Sequence, residues 1–362
     1  MKILQVITSL QIGGAEKLIT DMVPLFREQG REVDVLLFDG AETPFKKQLE
    51  EQRVRILSFN IGGSVYNPVY IFRLVPIIKE YDIVHTHNTV CQYFVAMAKT
   101  ISLCKKTKFV TTEHSTNNRR RKSVYWKLLD RFMYHKYDVI TAISEKVSNL
   151  LKIHISDLMT QVIHNGINIK TYQQAAPLSK ESFVSLGSVL VTMVSRFGEA
   201  KDQETVVRAL SLLPVNYYVL LVGGGDVTLM QRCKDIVLNL KLNDRVVFTG
   251  IRSDTPSILK VSDIVVMSSH WEGFGLAAVE GMAAGKPVVA SDVPGLADVV
   301  RGAGVLFPHG DEKALADAIQ KLMKDKSYYQ QIAEQCMQRA SEYDIRKTVD
   351  AYLDIYKQMV HA

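Results

Sequence analysis

Between His270 and Glu280 the chain reads HWEGFGLAAVE, which sets two carboxylates, Glu272 and Glu280, on either side of a glycine-rich entry into a helix. The apolar run Asp263 to Met267 precedes it, so the order is strand, loop, helix. Gly273 and Gly275 let the backbone turn tightly and leave the N–H groups of Phe274, Gly275 and Leu276 open at the helix start, where the dipole favours an anion. That is a seat for phosphate. Glu272 falls in the loop, and Glu280 is expected about two turns into the helix. A diphosphate with a sugar at each end would offer hydroxyls to both acids. The plainer alternative is a capped surface helix carrying two solvated glutamates.

Two other places point to an anion. The first strand leads through Gly13, Gly14, Ala15 and Glu16 into a helix, which offers the amides of Gly13 and Gly14. Neither that doublet nor Gly223-Gly224-Gly225 has the G-x-G-x-x-G spacing, which disfavours a nicotinamide enzyme. Further on, Arg196 and Lys201 follow a strand that ends near Val194, so both can reach one anion beyond its carboxyl end. Taken singly they read as surface charges. His114 stands just after the strand-like Lys108 to Thr112, where a site role outweighs a buried, satisfied histidine. His85 and His87 share one face of a strand and read as cleft or packing residues, since no third metal ligand lies near in sequence.

The elements that must position these groups alternate along the chain. Strands are expected at Lys2 to Ile7, Val33 to Phe38, Val54 to Phe59, Ile83 to His87, Lys108 to Thr112, Asp138 to Ile143 and Gln161 to His164. Segments with helical spacing, such as Ala15 to Gln29 and Ser144 to Ile153, separate them. After a polar stretch containing Pro177 the pattern restarts with Leu190 to Val194, Tyr217 to Val222, Arg245 to Thr249, Asp263 to Met267, Pro287 to Ala290 and Val305 to Phe307. Two parallel α/β domains follow, 1–168 and 169–344. The segment Ile345 to Val360 is an amphipathic helix with Val349, Tyr352, Leu353, Tyr356 and Met359 on one side, and residues 345–362 are expected to pack back onto the first domain.

Composition agrees with two ordinary cores, at 362 residues and 47% hydrophobic. No apolar run approaches the roughly 20 residues that span a bilayer, and the N-terminus continues as a strand, so the protein is expected in the cytoplasm. Cys91, Cys104, Cys233 and Cys336 are scattered and read as reduced structural thiols. The net charge of +6 is uneven, with 24 Lys and Arg against 16 Asp and Glu up to Lys170, and 20 against 22 beyond. The excess gathers between Lys99 and Lys136, including Arg119, Arg120, Arg121 and Lys122, with Tyr125, Trp126, Phe132, Tyr134 and Tyr137 interleaved or adjacent. This suits an anionic membrane face or a phosphorylated acceptor, though a solvated basic face explains it equally well. No nucleic-acid motif accompanies the charge.

Together these motifs resemble the retaining glycosyltransferases of the GT-B type in family 4, which carry an E-x7-E motif. The resemblance runs essentially end to end, through Gly13-Gly14, His85 to His87, Glu113-His114, Asn165 to Ile167, Arg196 to Lys201, Gly223 to Asp226, Glu272 to Glu280 and Gly285 to Pro287. It implies a GT-B fold, two Rossmann-like domains facing a central cleft, with the acceptor on the first and a nucleotide sugar on the second. By that resemblance Glu280 binds ribose hydroxyls, Glu272 binds the transferred sugar, Arg196 and Lys201 hold the diphosphate, and Gly14 lies next to diphosphate and acceptor. His114 corresponds to the histidine that contacts the donor sugar from across the cleft. Donor base recognition is expected from backbone near Gly250, Ile251 and Arg252. Departures are mild: Ser195 and Asp202 where glycine is common, and Asp298 in place of a frequent glutamate.

The expected reaction moves a sugar to a hydroxyl of a glycan or lipid-linked glycan, in surface polysaccharide or glycolipid assembly, at the inner membrane face if the basic segment docks there. Cleavage places negative charge on the leaving diphosphate, and Arg196, Lys201 and the helix start are suited to stabilise it. The chain has no D-x-D triplet, so no metal and no other cofactor is expected. An epimerase or phosphorylase of the same architecture and a non-enzymatic accessory subunit are the alternatives. The subunit would be expected to have lost one of Arg196, Lys201, Glu272 or Glu280, and all four are present.

Overall fold

The computed structural model describes residues 1–116 and 123–361. Arg119, Arg120, Arg121 and Lys122, the densest part of the basic segment, and Ala362 therefore lie outside the described residues. The chain divides into two compact units, Met1–Gly166 with Ile345–Ala362, and Ile167–Asp344.

In the first unit the described residues form a seven-stranded sheet in the order β3-β2-β1-β4-β5-β6-β7. Its strands are β1 (Lys2–Ile7), β2 (Glu32–Asp39), β3 (Ile56–Asn60), β4 (Ile83–Thr86), β5 (Lys108–Glu113), β6 (Val139–Ala142) and β7 (Gln161–Val162). All pairings are parallel, with Ile3 opposite both Val33 and Ile83. Strands such as β1 and β4 are buried on both faces, which is why they read as unbroken apolar runs rather than alternating ones. One core lies between the sheet and the helices Gly14–Glu28 and Ile345–His361. A second, on the other face, gathers Phe38, Tyr70, Phe109 and Tyr134.

The helix Ile345–His361 enters this unit at Gly166, where an added Cβ would come within 2.6 Å of the Ile345 Cα. Thr348 Oγ1 donates to the His164 carbonyl at 3.0 Å, and Val349, Tyr352, Leu353 and Tyr356 are buried against the sheet.

The second unit has a six-stranded parallel sheet in the order β10-β9-β8-β11-β12-β13. These are β8 (Val189–Val194), β9 (Tyr217–Val222), β10 (Val246–Gly250), β11 (Ile264–Met267), β12 (Val288–Ser291) and β13 (Val305–Phe307). The helices Gln203–Ser211, Val227–Asn239 and Glu312–Lys324 start on side-chain caps: Asp202 accepts from the Thr205 amide, Asp226 from Thr228 and Leu229, and Asp311 from Ala314.

Two of the rings taken with the basic segment are not surface groups. Tyr134 and Tyr137 are buried, because the end of the helix Val124–Tyr134 turns inward: Tyr134 donates to Glu113 Oε2 at 2.6 Å and Tyr137 to the Gln92 carbonyl at 2.8 Å. Burial also pushes the Cys91, Cys233 and Cys336 thiols up to about 12, which leaves them structural.

Candidate active site

In the second unit the chain beyond β8 runs beside the glycine-rich loop after β9. Phe197 donates its amide to the Gly224 carbonyl at 2.7 Å, and Gln203 Nε2 braces the same segment through Ser195 Oγ and the Arg196 carbonyl, both at 3.0 Å. Arg196 is thereby held exposed and makes no ion pair with a described residue. Ile251, just after β10, is also exposed and packs its side chain over Gly224.

The loop 198–202 is tied to the end of β11. Ser268 Oγ donates to the Asp202 carbonyl at 2.6 Å and the His270 amide to the Ala200 carbonyl at 2.8 Å. This lashing carries Lys201 onto Glu272. Lys201 Nζ pairs with Glu272 Oε1, which also accepts from Ser269 Oγ at 2.8 Å, and the two side chains are only 20% and 11% exposed. The cation and the carboxylate are therefore brought together by the contacts of the loop itself.

Gly275 caps the following helix, Leu276–Ala283, at φ +92°, a left-handed conformation that glycine adopts without a Cβ penalty. Glu280 is accordingly the fifth helical residue, little more than one turn from the start rather than two, and it is buried. The depth expected from sequence was too great because Gly273 to Gly275 belong to the loop. Phe274 pins that loop by an edge-on contact with Tyr343, ring centroids 5.1 Å apart. Gly295 sits under the Glu272 carbonyl, where a Cβ would lie 2.4 Å from the oxygen. Leu276 is the first helical residue, so the amides of the loop and first turn point out of the helix end.

Sequence reasoning missed one cluster here. Asp202, His270 and His309 bring ligand-type atoms within 4.8 Å of one another at the surface. Their separation along the chain hides them. Both Asp202 oxygens are already engaged, Oδ1 by the Thr205 amide at 3.2 Å and Oδ2 by Thr205 Oγ1 at 2.6 Å, so the carboxylate acts as a helix cap.

Gly13, Gly14 and His114 belong to the first unit. Gly13 is the N-cap of the helix Gly14–Glu28, and the Glu16 carboxylate folds back over it, so close that a Cβ on Gly13 would meet it. His114 follows β5 directly. Its Nε2 lies 3.2 Å from His87 Nδ1, and its own Nδ1 is buried with no partner among the described residues. His85 and His87 are fully buried, with ring centroids 4.1 Å apart. They are packing residues inside a polar network rather than surface ligands.

Burial disfavours the charged imidazoles: His114 is lowered to about 4, and His85 and His87 lie well below the ordinary value, His85 lowered further by His114 and His87 by both His85 and His114. The sign follows from proton uptake. Below about pH 6.5 the unfolded chain binds protons that these folded histidines refuse, so stability falls as pH falls, by about 1.4 kcal/mol per pH unit for each histidine held neutral. The His114 share stops growing below about pH 4, where it protonates in the folded state too. Urea titrations between about pH 7 and 4.5 should show this slope, and a flat stability there would mean that the imidazoles are charged in the fold.

Two family models divide the chain where the structure does. The model described as Glycosyltransferase Family 4 matches residues 12–171, and Glycosyl transferases group 1 matches residues 177–339. The chain belongs to the family 4 glycosyltransferases. Among characterised members, this glycosyltransferase is 28% identical to the N-acetyl-alpha-D-glucosaminyl L-malate synthase of Bacillus anthracis, over 95% of this chain and 94% of that protein. It is 26% identical to the Escherichia coli UDP-Gal:alpha-D-GlcNAc-diphosphoundecaprenol alpha-1,3-galactosyltransferase, over 78% and 76% of the two chains. Among solved structures, Anabaena HepE in complex with UDP and glucose superposes with a TM-score of 0.86 at 24% identity, covering 99% of this chain and 100% of that one. The two parallel-sheet domains are thus those of the GT-B fold. No helix among the described residues is long and apolar enough to cross a membrane.

Proposed function

We propose that this glycosyltransferase moves a sugar, with retention and without a metal, from a nucleoside-diphosphate donor to a hydroxyl of a lipid-linked glycan at the cytoplasmic face of a membrane. The observation that carries the donor half is the Lys201–Glu272 pair, set on the loop that opens the helix Leu276–Ala283, with Arg196 exposed on the same unit. A donor diphosphate exchanges places with the Glu272 carboxylate on Lys201. Glu272 is then released to accept from the hydroxyls of the transferred sugar, and Glu280 takes the ribose. Lys201, Arg196 and the helix N-terminus neutralise the charge that develops on the leaving diphosphate. They supply what a bridging divalent ion supplies elsewhere. Retention is accounted for by attack on the face that the diphosphate leaves, with a phosphate oxygen receiving the acceptor proton.

The acceptor half rests on chemistry named for relatives, the diphosphoundecaprenol glycan of the E. coli enzyme among them. It also rests on the helix Val124–Tyr134, which exposes Val124, Tyr125, Trp126, Leu128 and Phe132 in the basic segment. Aromatic and aliphatic side chains beside lysines suit an anionic lipid surface.

A thermal-shift panel of UDP-, GDP- and ADP-sugars in EDTA tests the donor. One nucleotide class should raise the melting temperature of the wild type and leave Glu280→Ala unmoved, because only a ligand that binds the native state stabilises it. The product formed with that donor should keep the anomeric configuration. Absence of any shift, or a product of inverted configuration, would overturn the corresponding half of the proposal.

A further inference from the structure

His114 ends a continuous chain of buried hydrogen bonds in the first unit, and the direction of that chain can be worked out from one fixed end. The Thr141 hydroxyl donates to the Thr111 carbonyl at 3.2 Å, an oxygen that can only accept. With its proton assigned to that carbonyl, Thr141 Oγ1 accepts at its 2.6 Å contact with Thr112 Oγ1, so Thr112 donates there. Thr112 in turn accepts from its other two partners, the Tyr352 hydroxyl at 2.9 Å and His85 Nε2 at 2.7 Å. His85 is fully buried with no acid among its partners, so it is neutral, carries its proton on Nε2 and offers a lone pair at Nδ1.

The rest follows step by step. Tyr356 donates its hydroxyl to His85 Nδ1 at 2.6 Å, which leaves its oxygen only the acceptor role toward Gln5 at 3.4 Å. Gln5 therefore turns its NH2 to Tyr356 and its carbonyl oxygen to His87 Nε2, 2.6 Å away. His87 is protonated on Nε2 and accepts at Nδ1, so His114 must donate from its Nε2. The proton on His114 is thereby held away from Nδ1, the one ring atom left without a partner among the described residues.

We infer that Tyr356, Gln5 and His87 are positioning residues that lock His114 as the Nε2–H tautomer, so that its Nδ1 lone pair accepts a hydrogen bond from a substrate hydroxyl. The helix Ile345–His361 thus does more than cover the sheet. Its Tyr356 hydroxyl carries the sense of the relay from His85 to Gln5, and so to a site residue more than 200 positions earlier in the chain. Only the last step, the substrate hydroxyl, rests on the function proposed above. The tautomer stands on the network alone.

The full chain labelled with 15N-histidine allows both parts to be read, with the His114 signals identified by their loss in His114→Gln. In the wild type the His114 ring should show a protonated Nε2 and a bare Nδ1. Tyr356→Phe removes the donor to His85 and the acceptor of Gln5, so the Gln5 amide is free to flip and both His114 tautomers should appear. Tyr352→Phe removes a similar buried hydroxyl that only donates into Thr112 and does not set the direction. It should leave the His114 tautomer unchanged.

Transfer should follow the tautomer. Tyr356→Phe is expected to lose about two- to tenfold in kcat/KM, in proportion to the competent fraction that remains, while Tyr352→Phe keeps the wild-type value. A wild-type His114 protonated on Nδ1, or a tautomer that responds equally to the two tyrosine variants, would overturn the relay. A tautomer that mixes in Tyr356→Phe without loss of transfer would overturn the role toward substrate and leave the relay standing.

Discussion

Removal of residues 345–362 is expected to unfold the first unit and spare the second. The helix Ile345–His361 buries Ile345, Val349, Tyr352, Leu353, Ile355, Tyr356 and Met359, all within the core formed with β1, β2 and the helix Gly14–Glu28. At about 1.5–3 kcal/mol for each large apolar side chain, their loss removes roughly 10–20 kcal/mol of burial. A domain has only about 5–15 kcal/mol of net stability to lose. The deletion also strips His85 and Thr112 of tyrosine hydroxyl partners inside the sheet face, leaving polar atoms newly exposed or unsatisfied. The second unit keeps every strand of its own sheet, because Ile167–Asp344 contains β8 to β13 entire. Hydrogen exchange followed by mass spectrometry of Met1–Asp344 should therefore show peptides from β1, β4 and β5 exchanging as unfolded chain, with β8 and β11 still protected. Retained protection across β1 and β4 would mean that the sheet is stable without its covering helix.

The fold was legible because parallel strands buried on both faces announce themselves as apolar runs, and the thirteen such runs are thirteen strands among the described residues. The errors lie at ends. β3 was expected from Val54 and begins at Ile56, and the four residues expected from Gln161 pair only at Gln161 and Val162, since an edge strand has a neighbour on one side alone. The depth of Glu280 was misjudged for a related reason: periodicity shows that a helix is present, but only the left-handed Gly275 shows where it starts.

What the sequence could not show are the pairings made across long loops. Nothing near Lys201 in sequence indicates that Glu272 is its partner, because two hydrogen bonds from the end of β11 to the loop after β8 create the approach. The histidine network was half legible. Two histidines on one face of the strand-like run Ile83 to His87, together with tyrosines at i and i+4 on the apolar stripe of the last helix, are a signal that buried hydroxyls need buried acceptors. Which tyrosine meets which histidine depends on where that helix crosses the sheet, and this is a tertiary fact.

Lys201→Ala is expected to lower kcat by about 10²–10³-fold while leaving the fold intact, the cost typical of removing one preorganised charge or donor from a developing anion. Two readings of the Lys201–Glu272 pair compete. In the first, Lys201 exists to neutralise a carboxylate that is 11% exposed, so its removal harms the enzyme only by leaving Glu272 without its cation. In the second, the pair is a resting arrangement in which each member waits for its own part of the donor. The double variant Lys201→Ala, Glu272→Ala separates them. If neutralisation is the whole role, deleting the carboxylate as well relieves the single variant, and activity recovers toward that of Glu272→Ala alone. If Lys201 holds the diphosphate, the double variant is at least as impaired as either single one, because the leaving group still departs without its cation. Lys201→Arg adds the geometric test. Arginine keeps the charge but spreads it over a planar fork, and the ammonium here reaches Glu272 from a loop held at the Asp202 carbonyl by Ser268. Under the second reading, partial recovery by arginine, well short of wild type, is the expected result, since one point charge would have to meet both the carboxylate and the diphosphate.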